Sequence, residues 1–108
     1  MAKTTALSEP SHWPTSEHEE LFAAIASLRT KDEAERFLRD LCTIAELEAM
    51  AHRWEVARLL DQGLPYLEVA QRTHASTTTV TRVAQWLRNG EGGYRLALSR
   101  RTAKRKRA

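Results

Sequence analysis

Six side chains suited to hydrogen bonding with nucleotides fall within nine consecutive positions of the chain. They are Thr77, Thr78, Thr79, Thr81, Arg82 and Gln85, and they are flanked by Arg72 and Arg88. Threonine hydroxyls reach phosphates and base edges, whereas arginine and glutamine pair bidentately with bases in the major groove of duplex DNA. Residues 71–90 contain no Asp or Glu that would repel phosphates. The pattern favours contact with DNA, and a solvated polar helix surface is the alternative interpretation.

Apolar residues at helical spacing predict how the chain positions these polar side chains. A helix capped by Ser76 turns four residues inward at i, i+3, i+4 and i+7 and leaves the polar set on its opposite face. A shorter helix begins near Pro65 and ends near Thr73. Together they predict a helix-turn-helix over about 65–88, with His74 in a turn position where glycine is common. The inward residues of the two helices are Val69, Ala70, Val80, Val83, Ala84 and Leu87.

Helical signals extend over the remainder of the chain and strand signals are nearly missing, which predicts an all-α fold. Three capping boxes, in which a Ser or Thr is followed three residues later by Glu, mark helix starts at Ser16, Thr30 and Thr43. The third helix is the longest and ends near Asp61, ahead of Gly63. The residues predicted to be buried are Leu21, Phe22, Ile25 and Leu28 in the first helix, Ala34, Phe37, Leu38 and Leu41 in the second, and Leu47, Met50, Ala51, Trp54, Leu59 and Leu60 in the third.

The length of 108 residues predicts one small helical domain, at 16–99. The aperiodic, proline-containing segment 1–15 is predicted to be a disordered N-terminal arm. A short helix is expected from Tyr94, and the segment 100–108 is interpreted as a basic, solvated tail.

The formal charge of +3 conceals an asymmetry along the chain. Residues 1–70 hold 7 basic and 13 acidic side chains, a charge of −6. Residues 71–108 hold 10 basic and one acidic side chain, a charge of +9. The positive part begins with the predicted helix-turn-helix, which indicates that this part of the chain faces a polyanion.

Other functional classes have little support in the sequence. Cys42 is the one cysteine, and it is interpreted as a small core residue, so no catalytic residue and no enzyme activity are predicted. The four histidines lack the spacing of metal ligands, so neither a metal site nor a cofactor is expected. The N-terminal region lacks the apolar run of a signal peptide, and no segment approaches the roughly 20 apolar residues of a membrane span. A cytoplasmic location and no membrane partner are therefore expected.

The segment CTIAELEAMAHRWEVARLLDQGLPYLEVAQRTHASTTTVTRVAQWLRNGEGGY, at 42–94, resembles the trp-repressor superfamily and in particular its trp-repressor-like branch. The TVTRV and WLRNGEGGY motifs carry the resemblance, which extends from about Leu21 to Leu98. It implies a trp-repressor-like helical bundle that forms an intertwined homodimer, with two helix-turn-helix units that meet successive major grooves of duplex DNA.

The resemblance also implies a vestigial ligand pocket. Thr43 and Arg53 match positions beside the bound tryptophan of the repressor, and Arg82 matches the arginine that holds its carboxylate. Val83 stands where the repressor has glycine and Trp86 where it has serine, so the added volume should exclude tryptophan as a co-repressor. Trp86, together with Val83, is expected to fill the vacated pocket and to hold the helix-turn-helix in a DNA-competent position without a ligand, and the alternative is a small-molecule effector of unknown chemistry. Thr43 as a helix cap and Arg53 as an ion-pairing residue are the alternative interpretations.

The sequence therefore predicts a homodimeric transcriptional regulator, acting as a repressor, with duplex DNA and a second copy of the chain as partners. Repression follows from the resemblance and from the small size, which leaves no room for an activation domain. The alternative is a protein-interaction adaptor or an architectural nucleic-acid-binding module that uses the same helical hairpin. A docking surface would carry more exposed aromatic or leucine side chains. RNA binding is less favoured because stacking aromatics are missing from the polar face.

Overall fold

The computed structural model describes the backbone of residues 13–107 and the side chains of residues 13–102. Every regular element in that range is a helix, which confirms the predicted all-α fold. No described helix is both long and apolar enough to cross a lipid bilayer. The chain divides between Cys42 and Thr43 into two compact units. In chain order the helices are α1 (Ser16–Ala26), α2 (Lys31–Leu41), α3 (Ile44–Asp61), α4 (Tyr66–Thr73), α5 (Thr77–Asn89) and α6 (Gly93–Arg107).

The N-cap residue of helix α1 is Thr15, one position before the predicted cap, Ser16. The Thr15 hydroxyl accepts the His18 N–H at 3.3 Å, and the Thr15 N–H donates to His18 Nδ1 at 2.9 Å. The predicted pairing of Ser16 with Glu19 is therefore wrong, because the histidine side chain takes the reciprocal role usually filled by Glu or Gln. Residues 1–12 of the predicted disordered arm lie outside the described residues, but Trp13 packs on α1, with its ring 4.3 Å from that of His18.

Helix α2 keeps half of its predicted capping box. The Thr30 hydroxyl accepts the Glu33 N–H at 3.0 Å and so satisfies one of the free donors of the first turn. The Glu33 carboxylate accepts the Arg29 N–H at 2.8 Å instead of returning to Thr30. The cap still fixes the start of the helix where the sequence predicts it.

The predicted burial of α1 and α2 does not occur within one chain. No residue of either helix is buried. Phe22 and Ile25 are each 44% exposed and Leu41 is 51% exposed, although their spacing places them on apolar helix faces. Cys42, expected in a core, is only half-buried where α2 ends. Two helices of eleven residues each therefore leave much of their apolar area in water, which monomeric proteins rarely do.

The core of the second unit joins three helices through fully buried valines. Val56 of α3, Val69 of α4 and Val80 of α5 have no exposed surface. Burying each such side chain stabilises the fold by about 1.5–3 kcal/mol relative to exposure. The cluster is completed by Ala57, Leu59, Ala70 and Val83.

Only the C-terminal half of α3 faces this core. Thr43 and Glu46 form the reciprocal capping box that the sequence predicts at its start. Met50 and Ala51, predicted to be buried, are exposed. The helices α4, α5 and α6 pack against α3 but leave this first part uncovered, so the predicted apolar side is wrong there.

Helix α6 is longer than predicted. It begins at Gly93 and continues to Arg107, so the segment expected as a solvated tail has helical backbone. Leu98 is buried, and the Tyr94 ring stacks 6.3 Å from that of Trp54, which anchors the first half of α6 on α3 and α5. Arginine, lysine and alanine favour helices, and cations near a C-terminus complement the helix dipole. These preferences explain why the helix does not end at the last apolar residue.

The turn between α4 and α5 contains a left-handed residue that is not glycine. His74 has φ 61° and ψ 21°, which confirms the conformation that its position predicts. The left-handed region costs an L residue about 1–2 kcal/mol, and it is least tolerable for β-branched side chains. The exposed imidazole adds no buried contact that would offset a substitution.

Replacing His74 therefore tests whether the left-handed backbone conformation of the turn limits stability. We expect His74→Val to lower the free energy of unfolding by about 1–2 kcal/mol, because the branched Cβ opposes positive φ. His74→Gly is the matched control and should leave that free energy unchanged or raise it. Urea denaturation followed by circular dichroism measures both variants. Equal destabilisation by Val and Gly would show that the imidazole, and not the backbone conformation, matters.

Candidate nucleic-acid interface

The buried side of α5 sets the direction of its polar side. Val80, Val83, Ala84 and Leu87 are at most 7% exposed, as the spacing predicts. On the facing helix α4, Val69 and Ala70 are buried against the same cluster. Successive residues of an α-helix are rotated by about 100°, so the residues between these inward positions face away from the core.

Hydrogen bonds brace the turn that leads into α5. The Thr73 hydroxyl donates to the Val69 carbonyl at 2.8 Å and accepts the Ala75 N–H at 3.2 Å. His52 of α3 places Nε2 2.8 Å from the Thr73 carbonyl oxygen, which ties the end of α4 to the longest helix. Ser76 then caps α5 by accepting the Thr79 N–H at 3.1 Å. These contacts hold the start of α5 against the core.

Five of the predicted DNA-contacting residues lie together. They share one shallow depression of about 330 Å³ on the exposed side of α5, and each of them is exposed. They are Thr77, Thr78, Thr81, Arg82 and Gln85. The depression is lined only by hydroxyl, guanidinium and amide side chains, so it offers hydrogen-bond donors and acceptors and one positive charge.

The other three predicted residues have intrachain partners. Thr79 is half-buried, and its hydroxyl accepts a hydrogen bond from the Ser76 hydroxyl at 3.1 Å. Arg72 forms an ion pair with Glu68 one turn earlier in α4, at 2.9 Å. Arg88 donates to the Tyr66 hydroxyl at 2.6 Å and links α5 to the start of α4. Sequence spacing placed these residues near the polar face but could not reveal their partners.

A second concavity, the cleft, lies beside the helix-turn-helix, within the second unit. Its volume is about 820 Å³, large enough for a small molecule. Four of the residues predicted for a vestigial pocket line it, namely Arg53, Arg82, Val83 and Trp86. Thr43, the fifth, is not among the lining residues, and it caps α3 as its alternative interpretation stated. Arg82 lines both the cleft and the polar depression.

Trp86 does not fill the cleft. Its side chain is 51% exposed and forms part of the wall, while the space beside it stays open. The expectation that Trp86 occupies the pocket is therefore wrong. The reason is its place on α5, since it lies at the edge of the buried stripe of Val80, Val83, Ala84 and Leu87, so its side chain leaves the helix beside the core and not into it.

The cleft also contains residues that sequence reasoning missed. His52 and Trp54 come from α3, Glu91 from the loop after α5, and Tyr94 from α6. The Trp54 and Tyr94 rings are nearly parallel, at 14°, so the cleft has an aromatic wall. The GEGGY motif could have drawn attention to Tyr94, but only the packing of α6 on α3 brings it to Trp54.

Comparison with known protein families shows to which family the chain belongs. A family model described as Trp repressor protein matches residues 16–102. The chain belongs to the Trp repressor family. This confirms the resemblance seen in the sequence, and the match includes all six helices except the end of α6.

Relatives within the Trp repressor family agree with the fold. The chain is 44% identical over 84 residues to the uncharacterized protein YerC of Bacillus subtilis (strain 168), which covers 78% of this chain and 81% of YerC. A TrpR-like protein from Eubacterium eligens ATCC 27750 superposes with a TM-score of 0.74 at 42% identity, covering 81% of this chain and 90% of that one. A candidate Trp repressor from Staphylococcus aureus gives 0.75 at 35% identity, covering 82% and 88%.

The Trp repressor family is a family of DNA-binding regulators, and membership of it suggests a helix-turn-helix regulator. The described geometry agrees with that class, because α4 and α5 form the hairpin and the polar depression lies on its second helix. Among residues 13–107, no group of three or more His, Cys, Asp and Glu side chains could hold a metal ion.

Gly90 limits where Trp86 can lie. Its N–H donates to the Trp86 carbonyl at 2.9 Å, and a Cβ on Gly90 would lie against that carbonyl oxygen and 2.8 Å from Trp86 Cε3. We expect Gly90→Ala to lower the free energy of unfolding by about 1–3 kcal/mol, since a backbone oxygen cannot rotate away. Tryptophan fluorescence should shift as well.

Gly93→Ala is the matched control for this substitution. A Cβ at Gly93 meets no atom within 4 Å, and the residue begins α6, where alanine favours the helix. Urea denaturation should show no loss of stability for this variant. An equal loss in both variants would contradict the steric explanation.

Proposed function

We propose that the chain is a homodimeric transcriptional repressor that inserts α5 into the major groove of a two-fold symmetric DNA site and represses by occupying it. The observation that carries the proposal is the polar depression on α5, in which five exposed donors and acceptors face away from the core with no acidic side chain among them. Major-groove recognition by a helix-turn-helix uses a second helix with this composition.

The side chains of the polar depression have separate roles in this proposal. Arg82 and Gln85 are long enough for bidentate contacts with base edges, while Thr81 can contact a thymine methyl or a base-edge acceptor. Thr77 and Thr78 lie at the N-terminus of α5, where backbone amides and the helix dipole attract phosphate. Sequence choice would therefore come from the later turns of α5 and register from its first turn.

Arg72, Arg88 and Thr79 are proposed as secondary contacts. The ion pair between Arg72 and Glu68 is more than 40% exposed on both sides. Exposed pairs of this kind contribute only about 0.2–1 kcal/mol, so Arg72 can exchange Glu68 for a phosphate at little cost. Arg88 donates to the Tyr66 hydroxyl through one of five guanidinium N–H groups, which leaves others for the DNA backbone. Thr79 would act mainly through the cap of α5.

A second copy of the chain is proposed to cover the apolar side chains of the first unit. Phe22, Ile25 and Leu41 are each more than 40% exposed, and in the second unit Ile44 and Met50 are exposed as well. Monomeric proteins rarely leave so many large apolar side chains in water. A homodimer would present two α5 helices, which explains why a palindromic site is expected.

Tryptophan is not the proposed co-repressor. Val83 and Trp86 both line the cleft, and they stand where the repressor of the resemblance has glycine and serine. The added side chains narrow the part of the cleft next to α5. The remaining space is open and aromatic, so an effector of other chemistry is compatible with the proposal.

Selection of bound duplexes from a random pool, at near-physiological salt, tests the proposed function. We expect the full chain to recover a palindromic motif. With that motif, Arg82→Ala should weaken binding by about 1–3 kcal/mol relative to random duplex, because a base contact is lost. Arg72→Ala is the control, and it should weaken binding to both duplexes alike, since phosphate contacts carry no sequence information.

Two outcomes would contradict this proposal. Tight, salt-sensitive binding without any recovered motif would favour an architectural role, because phosphate contacts alone would then explain the affinity. Binding to no duplex at all would favour the adaptor hypothesis, in which the hairpin docks on another protein.

Addition of tryptophan tests the prediction that tryptophan is not the co-repressor. We expect saturating L-tryptophan to change the affinity for the selected duplex less than twofold, measured by fluorescence anisotropy of a labelled duplex. The double variant Val83→Gly, Trp86→Ser is the matched comparison, since it removes the volume that is argued to exclude the ligand. A tenfold effect of tryptophan on the unmodified chain would show that the ligand is accommodated.

A further inference from the structure

The second half of α6 concentrates positive charge on a helix that belongs to the same unit as α5. Residues 93–107 contain no acidic residue. The seven basic residues of α6 are Arg95, Arg100, Arg101, Lys104, Arg105, Lys106 and Arg107. Six of the seven fall at or after residue 100, beyond the point where the helix is anchored.

The anchor and the charged segment are separate parts of one helix. Leu98 is 6% exposed and Tyr94 packs against the core cluster, so the first two turns of α6 are fixed on α3 and α5. From Leu98 to Arg107 the helix rises by about 14 Å, at 1.5 Å per residue. The charged segment therefore starts from a fixed position relative to the polar depression of α5.

The composition of this segment narrows the class of partner. Beyond Leu98 the only apolar residues up to Arg107 are Ala103 and the methyl group of Thr102. A helix without an apolar stripe can neither pack in a protein groove nor lie in a membrane interface. The high density of basic residues in the sequence 100–107 matches a polyanion that is bound without sequence discrimination, and duplex DNA is the polyanion that the proposed function assigns to α5.

Basic side chains within this segment repel one another, and a polyanionic partner would relieve that repulsion. Arg100 with Lys104 and Arg101 with Arg105 are like charges at i, i+4 spacing, which destabilises a helix. Phosphates placed between them would remove that repulsion. The helix should therefore become more stable on DNA than in the free chain.

We propose that the basic segment of α6, residues 100–107, is a second DNA contact that binds the phosphate backbone beside the site read by α5. This inference rests on the proposed function. It assigns to the segment affinity and salt dependence but no choice of sequence, whereas α5 carries the sequence choice.

The test compares the full chain with a variant in which Lys104, Arg105, Lys106 and Arg107 are all replaced by glutamine, which preserves helix propensity. Each phosphate contact contributes about 0.9 to the slope of log K against log salt concentration. We expect a slope shallower by about 2–4 units on both the selected and a random duplex. If four contacts are lost, raising the salt from 50 to 200 mM should weaken the variant about a hundredfold less than the full chain.

Two control variants distinguish the charge of residues 100–107 from the net charge of the chain. Lys31→Gln with Arg36→Gln removes exposed positive charge from α2, in the first unit, and should leave the slope nearly unchanged. Arg105→Lys with Arg107→Lys keeps the charge and should retain the slope of the full chain. Amide hydrogen exchange is the second readout, and the amides of residues 99–107 should exchange more slowly on a random duplex than in the free chain.

The outcomes distinguish this inference from the proposed function. An unchanged slope in the glutamine variant, with a palindrome still recovered by the full chain, would overturn the inference alone. Loss of binding to the selected duplex only would make the segment a sequence reader and would also overturn it. Tighter segment-dependent binding to phosphatidylserine vesicles than to duplex would assign it to a membrane. Failure of the full chain to bind any duplex would overturn both proposals.

Discussion

Burial of Val56, Val69 and Val80 in one cluster is the constraint on which the second unit depends. The three side chains come from α3, α4 and α5, so removing any one of them from water requires all three helices to meet. Once Val80 is buried, the 100° rotation between residues sends Thr81 and Arg82 toward solvent. The polar depression is therefore a consequence of the apolar packing, and the same three helices fix its orientation.

The sequence predicted this arrangement well because each face of α5 carries side chains of one chemical type. Its inward positions are all aliphatic and its outward positions from 77 to 85 are all polar, so helical periodicity alone separates them. The errors lie at positions where helical spacing does not reveal which element packs against a residue. Trp86 is apolar but half-exposed, and Met50 is apolar on a stretch of α3 that no helix of its unit covers. Thr15 caps α1 because a histidine reciprocates, which the rule of Ser or Thr followed by Glu does not anticipate.

Arg82 connects the two concavities of the second unit, since it lines both the polar depression and the cleft. One guanidinium group cannot pair fully with a base in the groove and with an anion in the cleft at the same time. If α5 binds DNA as proposed, an anionic molecule that pairs with Arg82 in the cleft would change that affinity, by competing for Arg82 or by fixing its orientation. The wide opening and the aromatic wall of Trp54 and Tyr94 allow such a molecule to differ from tryptophan.

In the proposed function, charge and sequence choice are carried by different parts of the chain. The polar depression contains one cation, Arg82, so the DNA binding proposed for it would depend on short-range hydrogen bonds that require a matching base pair. The basic end of α6 holds most of the positive charge of residues 71–108 and almost no other chemistry. Long-range attraction weakens with salt, whereas base contacts depend much less on it. If both proposals hold, the protein would stay on DNA non-specifically through α6 while α5 contacts successive sites, because neither helix has to leave the core for the other to bind.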